Sequence, residues 1–263
     1  MSIKTVILAT FNVRVPCDPP PNDWAGRKDR VNEIIQANDI QIFGVQEAVK
    51  MQLDDMTSDG VFAYVGGGRD DFRDAGEHSC ILYRKDRFDL LDGGTFALSE
   101  QPDVPGSKSW NTACPRIASW GKFADRETGR QFCFCNTHLD HVSELARTEG
   151  IKLVVAHAAK NAAGLPLVLS GDFNAFPDSE TYRTAASVLC DSRFISENGH
   201  DGPNRTFHNY RRKRANGTET EDYPIDYIFV SKGIRVLSHR TDDRLCFGGL
   251  PSDHYPVIVE LEF

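Results

Sequence analysis

The chain has 263 residues, of which 40% are hydrophobic and 26% charged, and its formal net charge is -8. This composition is that of an ordinary globular protein, and the length fits one large α/β domain over residues 1–263. The acidic balance argues against non-specific binding to polyanions, although a site that holds a divalent cation can still accept a phosphate.

The first half of the chain alternates apolar runs typical of strands with two helical segments. Strands are predicted at residues 3–11, 40–45, 61–66, 79–84 and 88–98, and helices at 24–38 and 50–56. The runs at 79–84 and 88–98 are expected to pair with each other through a turn at 85–87. Proline-containing residues 16–21 and 99–112 are predicted to be loops.

The second half continues the same alternation of strands and helices. Residues 117–123 and 131–137 predict a hairpin, and residues 165–176 contain a buried strand at 167–169. A helix capped by Asp178 or Ser179 should follow, and the closing strands are expected at 225–230, 235–240 and 255–261. The longest helical pattern covers residues 143–163, and its predicted inner face is formed by Leu145, Ile151, Val154, Val155 and Ala158.

No feature of the sequence indicates a membrane or a secreted protein. No apolar run approaches the roughly 18 residues of a membrane span, and the apolar residues 6–9 are too few for a signal peptide. The seven cysteines form no CxxC pair, so free buried thiols are favoured over disulfides or zinc ligands. We therefore expect a cytoplasmic protein with no membrane contact, and no motif points to an obligate protein partner.

Polar side chains recur directly after the predicted strands. Asp172 and Asn174 follow the strand at 167–169 and, two residues apart, share a face, although an Asx-turn explains the pair equally well. Asp226 lies between Ile225 and Tyr227 inside a strand, where a carboxylate needs a cation, an imidazole or a metal as its partner. The other strand-end residues of this kind are Asn12, Glu47, His138, Asp253 and His254.

Each of these residues also has an ordinary structural explanation. Asn12 alone would suit a turn, Glu47 the start of a helix, and His138 a hydrogen-bonded strand end. Ligands of α/β folds bind where strand ends gather at one edge of the sheet, so the recurrence favours a shared site.

Six short blocks carry a resemblance to a known family. In chain order they are Thr10-Phe-Asn-Val13, Val45-Gln-Glu47, Asn136-Thr-His-Leu-Asp140, Ser170-Gly-Asp-Phe-Asn174, Pro224-Ile-Asp-Tyr227 and Pro251-Ser-Asp-His254. Together they resemble the endonuclease/exonuclease/phosphatase superfamily with the deoxyribonuclease I-like fold. Residues 94–100 and 115–120 look like a bacterial and fungal branch near the deadenylase and nocturnin-like members.

The resemblance implies a four-layer α/β sandwich, with two face-to-face mixed sheets, outer helices and a site at one rim. It also implies the role of each residue. Glu47 matches the principal Mg²⁺ ligand, with Asn12 beside it and Asp253 contributing directly or through water; Mn²⁺ could substitute for Mg²⁺. Asp172 and Asn174 match the pair that positions water and phosphate, Asp226 and His254 a carboxylate–imidazole dyad, and His138 a second imidazole that Glu77 supports.

The chemistry of these residue types agrees with the resemblance. Carboxylate and amide oxygens suit Mg²⁺, and no Cys/His cluster has zinc spacing. A carboxylate behind a histidine raises its pKa and favours the doubly protonated donor. Either Asp172 or His254 could take the proton of the attacking water, and Asp172 is favoured. Because no Ser or Cys lies in a nucleophile motif, no covalent enzyme intermediate is expected.

Five further features have competing explanations. Arg116 suits a substrate phosphate or a salt bridge at the strand edge. Arg147 is favoured as a structural partner, Asp140 as a cap of the next helix, and Glu77 fits a solvated acid nearly as well as a support. The basic run Arg211-Arg-Lys-Arg214 resembles a nucleic-acid contact but is more typical of a solvated loop.

The sequence thus predicts a Mg²⁺-dependent phosphoesterase that attacks its substrate with water. A phosphodiesterase or nuclease acting on short or single-stranded nucleic acid is expected first, and a phosphatase of a small phosphorylated metabolite, nucleotide or lipid headgroup is the alternative. A non-catalytic binding module should lack some of the eight principal site residues. All eight are present: Asn12, Glu47, His138, Asp172, Asn174, Asp226, Asp253 and His254.

Overall fold

The computed structural model describes residues 4–211 and 220–263. Its elements in chain order are β1 (Val6–Asn12), α1 (Trp24–Ala37), β2 (Ile42–Gln46), α2 (Lys50–Thr57), β3 (Phe62–Val65), β4 (Ile81–Arg84), β5 (Phe88–Ala97), β6 (Ile117–Asp125), β7 (Gln131–His138), α3 (Glu144–Ala162), β8 (Leu167–Asp172), α4 (Glu180–Ala186), β9 (Cys190–Asp191), α5 (Ser192–Ile195), β10 (His200–Asp201), a 3₁₀ turn (Asn209–Arg211), β11 (Asp226–Val230), β12 (Arg235–Thr241) and β13 (Val257–Glu262).

The strands form two mixed sheets. One has the order β10-β12-β13-β1-β2-β4-β3, and the other has the order β5-β6-β7-β8-β11-β9. An apolar cluster that includes Leu8 and Ile42 of the first sheet and Phe134 and Val168 of the second fills the space between them. The alternation of side chains along each strand leaves a second apolar face on the outside of each sheet.

Helices cover both outer faces. Val31 and Ile34 of α1 pack in one cluster with Phe11 of β1, whereas Ile151 and Val154 of α3 pack with strands of the second sheet. The layers are therefore helix, sheet, sheet and helix. This arrangement confirms the four-layer α/β sandwich that the family resemblance implied.

The strand pairing brings the polar residues to one rim. β1 and β2 are parallel, with Asn12 opposite Gln46, so Asn12 and Glu47 leave the first sheet together. In the second sheet, β7 and β8 are parallel with His138 opposite Asp172, and the antiparallel β11 begins with Asp226 opposite Asp172. Backbone pairing alone thus places these residues side by side.

The expected pairing of the fourth and fifth strands is wrong. β4 pairs with β2 and β3, whereas β5 pairs with β6 of the other sheet. Where the chain crosses between the sheets, the buried Arg87 donates from Nε and Nη2 to the two carboxylate oxygens of Asp125, at 2.7 and 3.0 Å. This ion pair fixes the start of β5 to the end of β6.

The predicted inner face of α3 is wrong at one position. Leu145 is 52% exposed, whereas the neighbouring Ala146 is buried together with Ile151, Val154 and Ala158. At 3.6 residues per turn, Leu145 lies about 120° around the helix from Ile151, so it cannot face the same layer.

Two expectations drawn from composition can be compared with the structure. All seven cysteines are free thiols, but only Cys80, Cys133, Cys135 and Cys246 are buried as expected, whereas Cys17 is exposed and Cys114 and Cys190 are partly exposed. Within residues 4–211 and 220–263, no helix is long and apolar enough to cross a membrane.

Candidate active site

The strand ends open into a cleft of about 610 Å³ at the rim of the two sheets. Asn12 and Asp226 are buried directly beneath its floor, being 0% and 2% exposed. The other residues singled out from the sequence line the cleft: Glu47, Glu77, Arg116, His138, Asp172, Asn174, Asp253 and His254.

The end of β8 places Asp172 and Asn174 in the cleft by means of a glycine and a tight turn. Gly171 has φ 153°, and a Cβ there would lie 2.1 Å from the Thr137 carbonyl oxygen, so glycine allows β7 and β8 to stay paired. Asn174 adopts the left-handed conformation, and its N–H donates to Asp172 Oδ1 at 2.9 Å. The Asx-turn therefore exists, and the same turn presents both side chains to the cleft.

His254 and Asp226 form the expected dyad. His254 Nδ1 donates to Asp226 Oδ2 at 2.8 Å, and His254 Nε2 lies 3.7 Å from Asp172 Oδ2. Burial alone would lower the pKa of His254, but the carboxylates of Asp226 and Asp172 outweigh it and raise the pKa to about 10. At neutral pH His254 is therefore an imidazolium that points at Asp172.

Asp172 is the carboxylate whose protonation is most finely balanced. Burial and the neighbouring charge of Asp226 raise its pKa to about 7, although His254 and hydrogen bonds from Asn174 and Asn12 favour the ionised form. A carboxylate with a pKa near neutrality can accept a proton from water and release it again. Its Oδ2 atom accepts from Asn12 Nδ2 at 3.0 Å, which fixes its direction.

His138 is the second imidazole of the site. Its Nε2 accepts from Asn174 Nδ2 at 3.0 Å and lies 3.5 Å from Asp172 Oδ2. Burial, with the positive charge of Arg116, holds the pKa of His138 well below its usual value. His138 is therefore neutral, and His254 is the cationic imidazole of the pair.

The expected support of His138 by Glu77 is not found. Glu77 instead forms an ion pair with Arg69 Nη1 at 2.8 Å, because Arg69 lies on the adjoining loop and its N–H donates to the Glu77 carbonyl at 3.0 Å. Burial raises the pKa of Glu77 even though Arg69 opposes the shift. Both residues line the cleft.

Glu47 and Asp253, the carboxylates expected to bind a metal, also line the cleft. Glu47 has φ 63°, unusual for a residue with a side chain, and its carboxylate accepts from Asn12 Nδ2 and Val15 N–H, each at 3.0 Å. Burial raises the pKa of Glu47, but these two hydrogen bonds and the charges of His254 and Arg14 bring it below the usual value. Two carboxylates with lone pairs facing a polar cleft fit a hard divalent cation such as Mg²⁺ or Mn²⁺.

Asn12 takes a different orientation from that of a metal ligand. Its Oδ1 accepts from the Arg14 N–H at 3.0 Å, and its Nδ2 donates to both Glu47 and Asp172. In this geometry Asn12 joins the two carboxylates and holds them in place. Direct metal binding by Asn12 stays a prediction.

A second group of potential ligands, Cys114, Asp140 and His141, is occupied by structural contacts. The Asp140 carboxylate accepts from the backbone N–H groups of Ala113, Val142 and Ser143, as expected of a cap before α3. Arg116 donates from Nη2 to His141 Nδ1 at 2.9 Å, with Nε 3.7 Å from Asp140 Oδ1, so it is both a cleft residue and a partner of Asp140.

The remaining basic residues have structural contacts where they are described. Arg147 donates to the Asp140 carbonyl at 2.9 Å, which confirms its structural role. In the basic run, Arg211 donates from Nε to Tyr255 Oη at 3.0 Å, and the rest of that run lies outside the described residues.

The sequence did not reveal Arg14, Arg69 or His141 as cleft residues. Arg14 had a usable signal, since it follows Asn12 by two positions at the end of a strand. Arg69 had no such sequence signal, because a single arginine in a glycine-rich loop is typical of a solvated turn.

Comparison with known proteins agrees with the motifs. Residues 9–254 match the model of the "Endonuclease/Exonuclease/phosphatase family". Nocturnin of Xenopus laevis is 30% identical over 199 residues, which are 69% of this chain and 46% of that protein. Human nocturnin is 31% identical over 195 residues, 69% of this chain and 42% of that protein. The chain thus spans less than half the length of these curated relatives.

Two solved structures match over nearly the whole chain. An endonuclease/exonuclease/phosphatase from Bacteroides vulgatus is 36% identical, with a TM-score of 0.90 and 99% of each chain covered. A mannosyl-6-phosphatase from Bacteroides thetaiotaomicron is 37% identical, with a TM-score of 0.88, covering 98% of this chain and 100% of that one.

Proposed function

The chain belongs to the endonuclease/exonuclease/phosphatase family, whose members hydrolyse phosphate esters, and from this premise we propose that it is a divalent-metal-dependent phosphomonoesterase. The observation that carries the proposal is the convergence on Asp172 Oδ2, where the Nε2 atoms of His138 and His254 lie within 3.5 and 3.7 Å. A phosphate and an attacking water bound at this point would meet a base, a charged donor and a neutral imidazole.

The catalytic roles follow from protonation and position. Ionised Asp172 accepts a proton from the attacking water, and imidazolium His254 donates a hydrogen bond to a phosphate oxygen that gains charge in the transition state. Asp226 keeps His254 charged, while Asn174 donates to His138 Nε2 and fixes that ring beside Asp172. Glu47 and Asp253 would hold a Mg²⁺ or Mn²⁺ ion, which would further neutralise the charge of the phosphate.

A monoester is favoured over a diester by the charges around the cleft. The guanidinium groups of Arg14 and Arg116 line it together with imidazolium His254, whereas the charge of Arg69 is balanced by Glu77. A terminal phosphate carries more negative charge than a diester phosphate and makes better use of several cationic donors. This changes the order of the two substrates expected from the sequence.

The Arg69–Glu77 pair, which lines the cleft, favours a substrate with a hydroxyl-rich leaving group. The pair, with an Nη1–Oε2 distance of 2.8 Å, presents hydrogen-bond donors and acceptors side by side with little net charge. Such an arrangement suits hydroxyl groups, which both donate and accept. The similarity to a mannosyl-6-phosphatase over almost the full chain supports a sugar phosphate as the substrate.

The second candidate remains a phosphodiesterase or nuclease acting on a short nucleic acid. The observation in its favour is the apolar surface beside the dyad, where Phe207 and Ile225 line the cleft and the Phe207 ring lies 5.0 Å from the His254 ring. Aromatic surface next to a phosphate site can stack a nucleobase.

The two candidates are separated by the kcat/KM values for p-nitrophenyl phosphate and bis-p-nitrophenyl phosphate in the presence of Mg²⁺ or Mn²⁺. We expect the monoester to be preferred by at least about 10-fold. A panel of hexose phosphates, nucleoside monophosphates and single-stranded oligonucleotides then identifies the leaving group. Asp172→Asn protein, purified in parallel, controls for contaminating phosphatases. A preference for the diester would refute the monoesterase proposal, and no turnover of any ester would refute both candidates.

A further inference from the structure

The side chain of Arg14 lies between the two carboxylates assigned to the metal site. Its Nη1 atom is 3.7 Å from Glu47 Oε2, and its Nε atom is 3.6 Å from Asp253 Oδ2. The carboxylates are 13% and 5% exposed, so their mutual repulsion is weakly screened and a cation between them is stabilising. Burial lowers the pKa of Arg14, but Asp253, Asp18 and Glu47 raise it more, and it stays charged.

The backbone of Arg14 is fixed, whereas its side chain is loosely held. The Arg14 N–H donates to Asn12 Oδ1, and its carbonyl accepts from Arg27 Nη2 and Gln52 Nε2, each at 3.0 Å. Within the described part of the chain, the guanidinium makes one hydrogen bond, from Nε to Asp18 Oδ2 at 3.0 Å. Its contacts with Glu47 and Asp253 are longer than hydrogen bonds, and the side chain is 30% exposed.

We propose that the guanidinium of Arg14 occupies the metal site in the metal-free protein, where it holds Glu47 and Asp253 together. A divalent ion that binds these carboxylates displaces it. This inference rests on the metal site of the proposed function. A divalent ion bound by the same carboxylates repels the guanidinium and supplies the charge it provided. The energy needed to displace Arg14 lowers the affinity for the metal.

Displacement gives Arg14 a second role in the cleft. Asp18 stays within reach, and the freed planar guanidinium faces the space in which a substrate phosphate binds. A guanidinium fork binds phosphate through two parallel hydrogen bonds. Metal binding is therefore coupled to phosphate binding through one side chain, and the empty enzyme presents fewer free donors to anions than the metal-loaded enzyme.

The inference is tested by isothermal titration calorimetry of Mg²⁺ and Mn²⁺ into chelator-treated protein. We expect Arg14→Gln to bind the ion about 10-fold more tightly than wild type. Arg14→Lys keeps the charge and should stay within about 3-fold of wild type. Arg69→Gln is the matched control, because it removes a cleft guanidinium that is paired with Glu77 rather than with the metal carboxylates. Its affinity should also stay within about 3-fold.

A second titration, with inorganic phosphate and Mg²⁺-saturated protein, tests the coupling. We expect Arg14→Gln to bind phosphate about 10-fold more weakly than wild type, and equal affinity would overturn the second role.

The outcomes separate this inference from the function on which it rests. If wild type binds the metal but Arg14→Gln binds it equally or more weakly, the inference fails and the metal site stands. If Arg69→Gln bound the metal as much more tightly as Arg14→Gln, the effect would come from the general electrostatic field of the cleft, and the inference would also be overturned. No metal binding by wild type would overturn both.

Discussion

Replacing Asp226 by asparagine tests the source of the positive charge at the centre of the site. The pKa of His254 is about 10, which is about 3.5 units above its ordinary value of 6.5 and corresponds to roughly 5 kcal/mol in favour of the imidazolium. Asp226 is the largest favourable contributor and accepts from Nδ1 at 2.8 Å, whereas Asp172 is 3.7 Å from Nε2. Asparagine keeps an oxygen that can accept from Nδ1, so the substitution removes the charge and preserves the hydrogen bond.

We expect Asp226→Asn to lower the pKa of His254 by at least about 2 units. The protonated form is required for catalysis, so the rate is lost as the pH rises through this pKa. The alkaline limb of the profile of kcat/KM against pH should therefore move from about 10 to about 8 or lower. Measuring this profile with p-nitrophenyl phosphate, and titrating the His254 ring by NMR, gives two independent readouts.

Asp191→Asn is the control for Asp226→Asn. Asp191 is also a buried aspartate of the second sheet, but it accepts from Tyr182 Oη rather than from His254, so the alkaline limb should stay in place. An alkaline limb that does not move in Asp226→Asn would show that Asp226 does not set the charge of His254.

Four other predictions follow from the same contacts. Asp172→Asn should lower kcat by about 10³-fold while metal binding persists, and its melting temperature should not fall, because the substitution removes a buried carboxylate; a rate near that of wild type would exclude Asp172 as the base. In wild type, kcat/KM should rise as the pH increases through about 7, the pKa of Asp172, because the base must be ionised; a flat profile there would contradict this. Glu47→Gln should weaken Mg²⁺ affinity by about 10-fold in calorimetry, and an unchanged titration would count against Glu47 as a ligand. Arg27→Lys should lower the free energy of unfolding in urea by about 3 kcal/mol, because the buried Arg27 guanidinium donates to the carbonyls of Asn22, Val13, Arg14 and Pro251. A loss below about 1 kcal/mol would show that these contacts contribute little.

The fold could be predicted largely from local patterns and short motifs. Apolar runs gave the long strands and helices to within a few residues, because buried strands and amphipathic helices have different periods. The exchange of β4 and β5 between sheets could not be predicted in this way. It involves contacts between distant residues, such as the Arg87–Asp125 ion pair, whose members are 38 positions apart in the chain.

The residues of the candidate site were predictable for a similar reason. Asp172, Asp226 and His254 each lie at or near the end of a strand, and strand ends meet at one rim. Their protonation was not predictable, because the charge of His254 and the neutrality of His138 depend on burial and on charges from other strands. The pairing of Glu77 with Arg69 likewise depends on the path of a loop.

We propose above all that this protein hydrolyses a phosphate monoester with a divalent metal held by Glu47 and Asp253. The most direct test is the hydrolysis of p-nitrophenyl phosphate by chelator-treated protein as Mg²⁺ is returned. We predict no turnover without metal and a saturable recovery as Mg²⁺ is added. Full activity in the chelated protein, or no recovery with either Mg²⁺ or Mn²⁺, would contradict the claim.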